Sequence, residues 1–185
     1  LEFDVRVVIA AILLSAALAG CDEAKQGDKA DSAAPQPTAP AKSGEFDTSR
    51  AGAPAPALVL EAADGTPFRL GARRGMPTLV NLWATWCAPC VTEMPALDRL
   101  AQARGDSLLV VGVSQDLDGW DRVRPFVAKA RLRTMTIVLD REGKLAAALG
   151  AGGLPLTVLY DADGREIWRV NGPREWDEPG GFVGR

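Results

Sequence analysis

Between residues 57 and 170 the apolar positions fall into two kinds of run. PTLVNLWA (77–84), SLLVVGVS (107–114) and MTIVLD (135–140) are short and almost continuously apolar, the pattern of strands buried on both faces. After Cys87, residues Met94, Leu97, Leu100 and Ala101 recur at helical spacing. DLDGWDRVRPFVAKARL (116–132) reads as a second helix, opened by an acidic cap and interrupted or entered at Pro125. GKLAAALG (143–150) reads as a short helix stopped by Gly150. ALVLEAADGTPFRL (57–70) and PLTVLYDADGREIWRV (155–170) read as hairpins turning at Asp64-Gly65 and Asp163-Gly164. Strands alternating with helices imply parallel crossovers, and the terminal hairpin adds antiparallel strands. The pattern predicts an α/β domain over residues 51–185. Its mixed central sheet is flanked by helices on both faces and carries an extra N-terminal hairpin. REWDEPGGFVGR (174–185) leaves little room for a closing helix.

The first fifty residues are patterned differently. Residues Val7 to Gly20 are apolar but for Ser15. As a helix such a run rises about 21 Å, short of a hydrocarbon core of roughly 30 Å. Residues 1–20 therefore read as a signal peptide, with an uncleaved anchor as the alternative. The run ends in LAGC (18–21), which resembles the lipobox of bacterial lipoproteins. The small Ala19 and Gly20 admit a peptidase, and the resemblance implies lipidation of the Cys21 thiol. Asp22 resembles a membrane-retention signal of such proteins. Residues 21–50 are rich in Ala, Pro, Asp, Lys and Ser, with Phe46 as the one aromatic. That composition cannot bury enough apolar area to offset its ordering entropy, so the segment reads as a flexible tether. A coil of this length spans about 30 Å.

Composition narrows the chemistry. The 185-residue chain carries a formal charge of −3, so no basic field exists to hold nucleic acid. It contains no histidine, which excludes Ser-His-Asp triads, Cys-His dyads and histidine-bearing zinc or iron sites. Three cysteines are too few for two disulfides or a four-thiolate metal site. No resident metal or other cofactor is expected.

The two cysteines of the predicted domain, Cys87 and Cys90, enclose Ala88-Pro89. A buried strand ends near Ala84 and a helix begins just after Cys87. The first thiol then meets unsatisfied N–H groups and the positive end of the helix dipole, which favour a thiolate. Pro89 suits a first helical turn, where its missing N–H has no partner to lose. Cys90 lies one turn behind, within reach of a disulfide. A c-type haem site needs a histidine where Val91 stands. A structural staple over so short a loop removes little unfolded-state entropy. The pair reads as redox-active. DADG (161–164) is a fragment of a calcium-loop pattern that a hairpin turn explains.

NLWATWCAPCVTEMPAL (81–97) closely resembles the TlpA/ResA-like membrane-anchored thioredoxin-like proteins. The likeness runs from about residue 53 to 178 and takes in the DGTPFRL hairpin, GLPLT (153–157) and NGPREWDEP (171–179). It implies a thioredoxin-like fold, an extracytoplasmic location and thiol–disulfide exchange. By that resemblance Cys87 is the attacking thiolate, Cys90 the resolving thiol, and Pro155 a cis-proline facing them. The residues alone equally allow Pro155 to be a strand-entry proline. Glu93 matches an acid that tunes the cysteines, although a Glu in an early helical turn is also ordinary and solvated. Cytoplasmic thioredoxin has a buried, proton-accepting Asp six residues before the first cysteine. Asn81 stands there and cannot titrate, so Glu93 is the nearest carboxylate in sequence. Pro95 is expected to kink the helix. Trp83 reads as core, while Trp86, Ala88, Pro89 and Leu154 read as the surface that meets a partner.

The function expected is that of a membrane-anchored reductase of client disulfides in the bacterial cell envelope, of the kind that matures cytochrome c or oxidase copper sites. It faces the periplasm and draws electrons from a membrane thiol transporter of the DsbD/CcdA type. A non-enzymatic Cu(I) relay is the alternative, followed by a redoxin-type peroxidase. The missing histidine and the CxxC spacing count against the first, and the absent proline-threonine-cysteine motif against the second.

Overall fold

The computed structural model describes residues 44–70 and 75–177. The predicted signal peptide, Cys21 and most of the tether lie outside the described residues, as does the tail beyond Asp177. Among the described residues no helix is long and apolar enough to cross a membrane.

An eight-stranded sheet runs in the order β1-β8-β7-β4-β5-β6-β2-β3. Its strands are β1 (Phe46–Asp47), β2 (Val59–Ala62), β3 (Pro67–Arg69), β4 (Thr78–Trp83), β5 (Leu109–Ser114), β6 (Thr136–Leu139), β7 (Leu156–Tyr160) and β8 (Glu166–Asn171). Three helices connect them: α1 (Ala88–Arg104), α2 (Trp120–Ala130) and α3 (Lys144–Leu149). β4, β5 and β6 pair in parallel, while β7 and β8 return antiparallel beside β4. This is the mixed, helix-flanked sheet that the sequence predicted, and β2 and β3 are its extra N-terminal hairpin.

β4 is central, and its side chains alternate between two cores. Leu79 and Trp83 face α1 and α2, joining Met94, Leu97 and Val123. Val80 and Leu82 face α3, joining Leu145 and Leu149. A strand covered on both faces must be apolar almost throughout, which is why its sequence reads as a continuous run. The exception is Asn81, which is fully buried.

Two expectations need correction. Ordered structure begins before residue 51: β1 pairs with β8, and Phe46 packs edge-on against Trp168 at 4.7 Å. The aromatic that looked incidental in a disordering composition is what seats this strand. No acidic side chain caps α2: its N-cap is Gly119 at φ 64°, and the helix runs through Pro125. The helix α1 runs from Ala88 to Arg104 with Pro95 inside it. Trp176, in the segment after β8, is buried in the α1 core and stacked on Trp168 at 6.4 Å.

Candidate active site

β4 delivers the chain at Trp83 to a tight turn that starts α1. The Cys87 N–H donates to the Ala84 carbonyl at 3.1 Å, and the Cys87 carbonyl accepts from Val91 N–H at 3.0 Å. Cys87 is thus the N-cap of α1, with extended backbone. No side chain caps the helix and no acid lies in its first turn. The positive end of the helix is therefore neither satisfied nor neutralised by a neighbouring side chain, and it acts on the sulfur at its mouth. Pro89 occupies the first turn, as expected.

Cys87 and Cys90 are joined in a disulfide, with Cα atoms 5.2 Å apart. The two sulfurs differ in access: Cys87 is 7% exposed and Cys90 0%. Ala88 and Pro89 are exposed beside them. Trp86 is 69% exposed, which is unusual for the largest apolar side chain. Leu117, in the loop between β5 and α2, is 76% exposed. Together with Thr85, Asp116, Asp118 and Arg122 these two residues line an open cleft of about 450 Å3. Pro155 is buried and follows a cis peptide bond, and Leu154 packs against the same core as the cysteines.

The turn before Cys87 is pinned from β5. Asp116 accepts hydrogen bonds from Thr85 N–H at 3.0 Å, Thr85 Oγ1 at 2.5 Å and Ser114 Oγ at 2.7 Å. Nothing in the sequence marked Asp116 as a functional residue. Its part is to fix the position of Thr85, two residues before the cysteine.

Glu93 is not the solvated early-turn acid that its position allowed. It is 5% exposed. Its Oε1 accepts from Asn81 Nδ2 at 2.8 Å, and its Oε2 accepts from Trp176 Nε1 at 3.2 Å and Arg174 N–H at 3.3 Å. Asn81 Nδ2 also donates to Thr157 Oγ1 at 3.0 Å, while its buried Oδ1 has no donor among the described residues. Burial pushes the Glu93 carboxyl above the usual carboxylate range, and the Asn81, Trp176 and Arg174 donors oppose that shift. The sequence singled out Asn81 and Glu93 separately; the fold makes them one hydrogen-bonded pair. It did not single out Arg174 or Trp176, whose only signal was the NGPREWDEP likeness. Among the described residues no cluster of three or more potential ligands is arranged to hold a metal.

A cysteine pair at a helix mouth, on a mixed sheet with a cis-proline just before β7, is the arrangement of a thioredoxin-fold exchange protein. The redoxin family model matches residues 50–181. The chain belongs to the redoxin family, on the branch of the ResA- and HelX-type thiol–disulfide oxidoreductases. The thiol-disulfide oxidoreductase ResA of Geobacillus thermodenitrificans is 37% identical over 117 residues, covering 62% of this chain and 65% of the relative, just under two-thirds of its length. The thiol:disulfide interchange protein HelX of Rhodobacter capsulatus is 36% identical over 128 residues, covering 68% of this chain and 70% of the relative. A putative thiol:disulfide interchange protein DsbE from Chlorobium tepidum superposes with a TM-score of 0.63 at 26% identity, over 69% of this chain and 89% of that one. A secreted Mycobacterium tuberculosis disulfide oxidoreductase superposes with a TM-score of 0.56 at 28% identity, over 63% and 84%.

Proposed function

We propose that the protein reduces disulfides of client proteins outside the cytoplasm, through Cys87 and Cys90. The observation that carries this reading is the cysteine pair itself: one sulfur at the mouth of α1, the other sealed behind it. The Cys87 thiolate attacks a client disulfide, forming a Cys87–client S–S bond and releasing one client thiolate, which takes up a proton. Cys90 then loses its proton and attacks Cys87 Sγ. The Cys87–Cys90 bond closes, the second client thiol leaves, and two electrons have passed to the client. Trp86, Ala88, Pro89 and Leu154 supply the contact surface, with Pro155 facing the disulfide.

The direction follows from what is missing around the thiolate. A strong oxidant over-stabilises its reduced form. Here the intervening dipeptide is Ala88-Pro89, there is no histidine, and no Lys or Arg lies between Trp83 and Val91. The potential is then expected near the thioredoxin value of roughly −270 mV. Such a protein needs an electron supply, for which a membrane thiol transporter is the fitting donor. Its clients are apocytochrome c or the thiols of an oxidase copper site. The LAGC sequence supports lipid attachment at Cys21 and a tethered position on the cytoplasmic membrane, facing the periplasm.

Equilibration of the full-length protein in glutathione and dithiothreitol buffers measures the potential. A value more oxidising than about −180 mV overturns the reductase assignment. Cys90→Ser retains the attacking sulfur and loses the resolving one, so it is expected to hold a mixed disulfide with its client at Cys87.

A further inference from the structure

The chain segment after β8 crosses the α1 face and places two donors on the buried Glu93 carboxylate. Arg174 N–H and Trp176 Nε1 both point at Glu93 Oε2. The segment is held at both ends. Gly172 N–H donates to the Pro155 carbonyl at 2.9 Å, tying the segment to the cis-proline strand. Arg174 Nη1 donates to the Gly44 carbonyl at 2.6 Å, and its guanidinium lies 4.1 Å from the Phe46 ring centre. Asp177 forms an ion pair with Arg99 on α1. The Trp176 ring is fixed by its stack on Trp168. Residues 172–177 therefore reach Pro155, β1, β8 and α1, with Glu93 beneath them.

We propose that Trp176 is a positioning residue of the redox centre: through its indole N–H on Glu93 it holds that carboxylate charged and aimed, so that the 172–177 segment governs how Cys87 responds to pH. This deepens the dithiol reading and rests on it. Glu93 lies three residues after Cys90 on α1, both side chains being buried. A carboxylate charge at that distance disfavours a second negative charge on the cysteine pair, and its neutralisation favours one. The other groups facing Glu93 do not supply this control. Asn81 on β4 and Thr157 on β7 do not titrate. The charge of Glu175, in the same segment, pushes the Glu93 carboxyl further up. The Arg174 guanidinium is engaged by Gly44 and Phe46, and its backbone N–H donates to the carboxylate. Among the described residues the indole is thus the one side-chain donor on Oε2, beside a backbone N–H that no side-chain substitution removes.

The test is Trp176→Phe in the full-length protein, which keeps the ring stack and deletes the N–H. Iodoacetamide labelling of the reduced protein is followed from pH 5 to 9 by mass spectrometry of the Cys87 peptide, with no client and no electron donor present. Losing one hydrogen bond to a charged group is expected to speed labelling of Cys87 at pH 6 by about three- to tenfold. Glu93→Gln is expected to speed it too, and the double variant is expected to be no faster than Glu93→Gln alone. A Trp176→Phe profile that superimposes on the unsubstituted protein, or a double variant in which the two effects add fully, overturns the proposal. Should Trp176→Phe fail to fold, the Trp176 indole 15N–H resonance of the unsubstituted protein decides. It is expected to titrate with Glu93, and an indole signal unmoved across the same range overturns the proposal. The reductase reading fails on the potential and on trapping, neither of which this experiment measures, so the two ideas fall separately.

Discussion

Asp116→Ala removes three hydrogen bonds accepted by one buried carboxylate: two from Thr85 and one from Ser114. Each bond to a charged group contributes about 1.5–3 kcal/mol, and the orphaned donors add a desolvation cost. Part of this is returned because a carboxylate no longer has to be buried. The net loss is expected at about 2–4 kcal/mol, a shift of about 1–2 M in a urea unfolding midpoint. Asp116→Asn separates geometry from charge. With its oxygen in the place of Oδ2, the amide still accepts from Thr85 N–H and Ser114 Oγ. Its NH2 then donates to Thr85 Oγ1, which reverses its own role. That variant is expected to lose less than about 1.5 kcal/mol. Urea titrations of the oxidised protein followed by tryptophan fluorescence read both. An Asn variant as unstable as the Ala variant would refute the argument that donor geometry holds the turn. An Ala variant within about 1 kcal/mol of the parent would show that Asp116 does not hold it at all.

Other outcomes follow from the same contacts. Arg169→Met strands Glu166, whose carboxylate is buried against the guanidinium at 2.6 and 2.7 Å, and is expected to cost about 3–5 kcal/mol in chemical unfolding. Gly119→Ala places a residue with a side chain at φ 64° and drives its Cβ into the Arg141 guanidinium; a loss of about 1–2 kcal/mol in the same assay is expected, and a neutral result would show that the α2 cap relaxes freely. Because the Glu93 carboxyl is raised in the folded state, the stability it contributes is complete below the ordinary carboxylate range and is lost as pH rises through its folded value. Glu93→Gln should flatten that decline in melting curves taken across pH. Cys21→Ser is expected to abolish lipid labelling and release the protein from membranes, and a variant that stays membrane-bound with unchanged labelling would exclude Cys21 as the anchor.

The strands and helices were legible because each had to satisfy one periodicity over its whole length. β4 is buried on both faces and reads as a continuous run; α1 buries one face and repeats at helical spacing. The cysteine site was legible for a similar reason, since its chemistry lies in adjacent residues of one strand–helix junction. What could not be read were the partners that meet across long sequence separations. Glu93 is bonded to Trp176, 83 positions away, and Thr85 to Asp116, 31 away. A lone Glu, Asp or Trp carries no periodic signal to announce such a partner. Phe46 misled for the opposite reason: composition describes a neighbourhood, whereas two paired residues and one ring contact suffice to seat a short edge strand.

The unequal exposure of the two sulfurs imposes an order on events. A sulfur arriving from solvent meets Cys87 first, because Cys90 offers no surface to attack. Cys90 in turn can reach only a sulfur already brought to it, namely that of Cys87. In the exchange proposed above, a client linked to Cys87 therefore carries its own timer. If its second thiol is slow to leave, the neighbouring thiol, held at an effective concentration no free thiol matches, ejects it. Dead-end adducts on Cys90 are closed off by packing rather than by reactivity. The burial of one side chain thus sets both the sequence of bond exchanges and the longest time that a client stays attached.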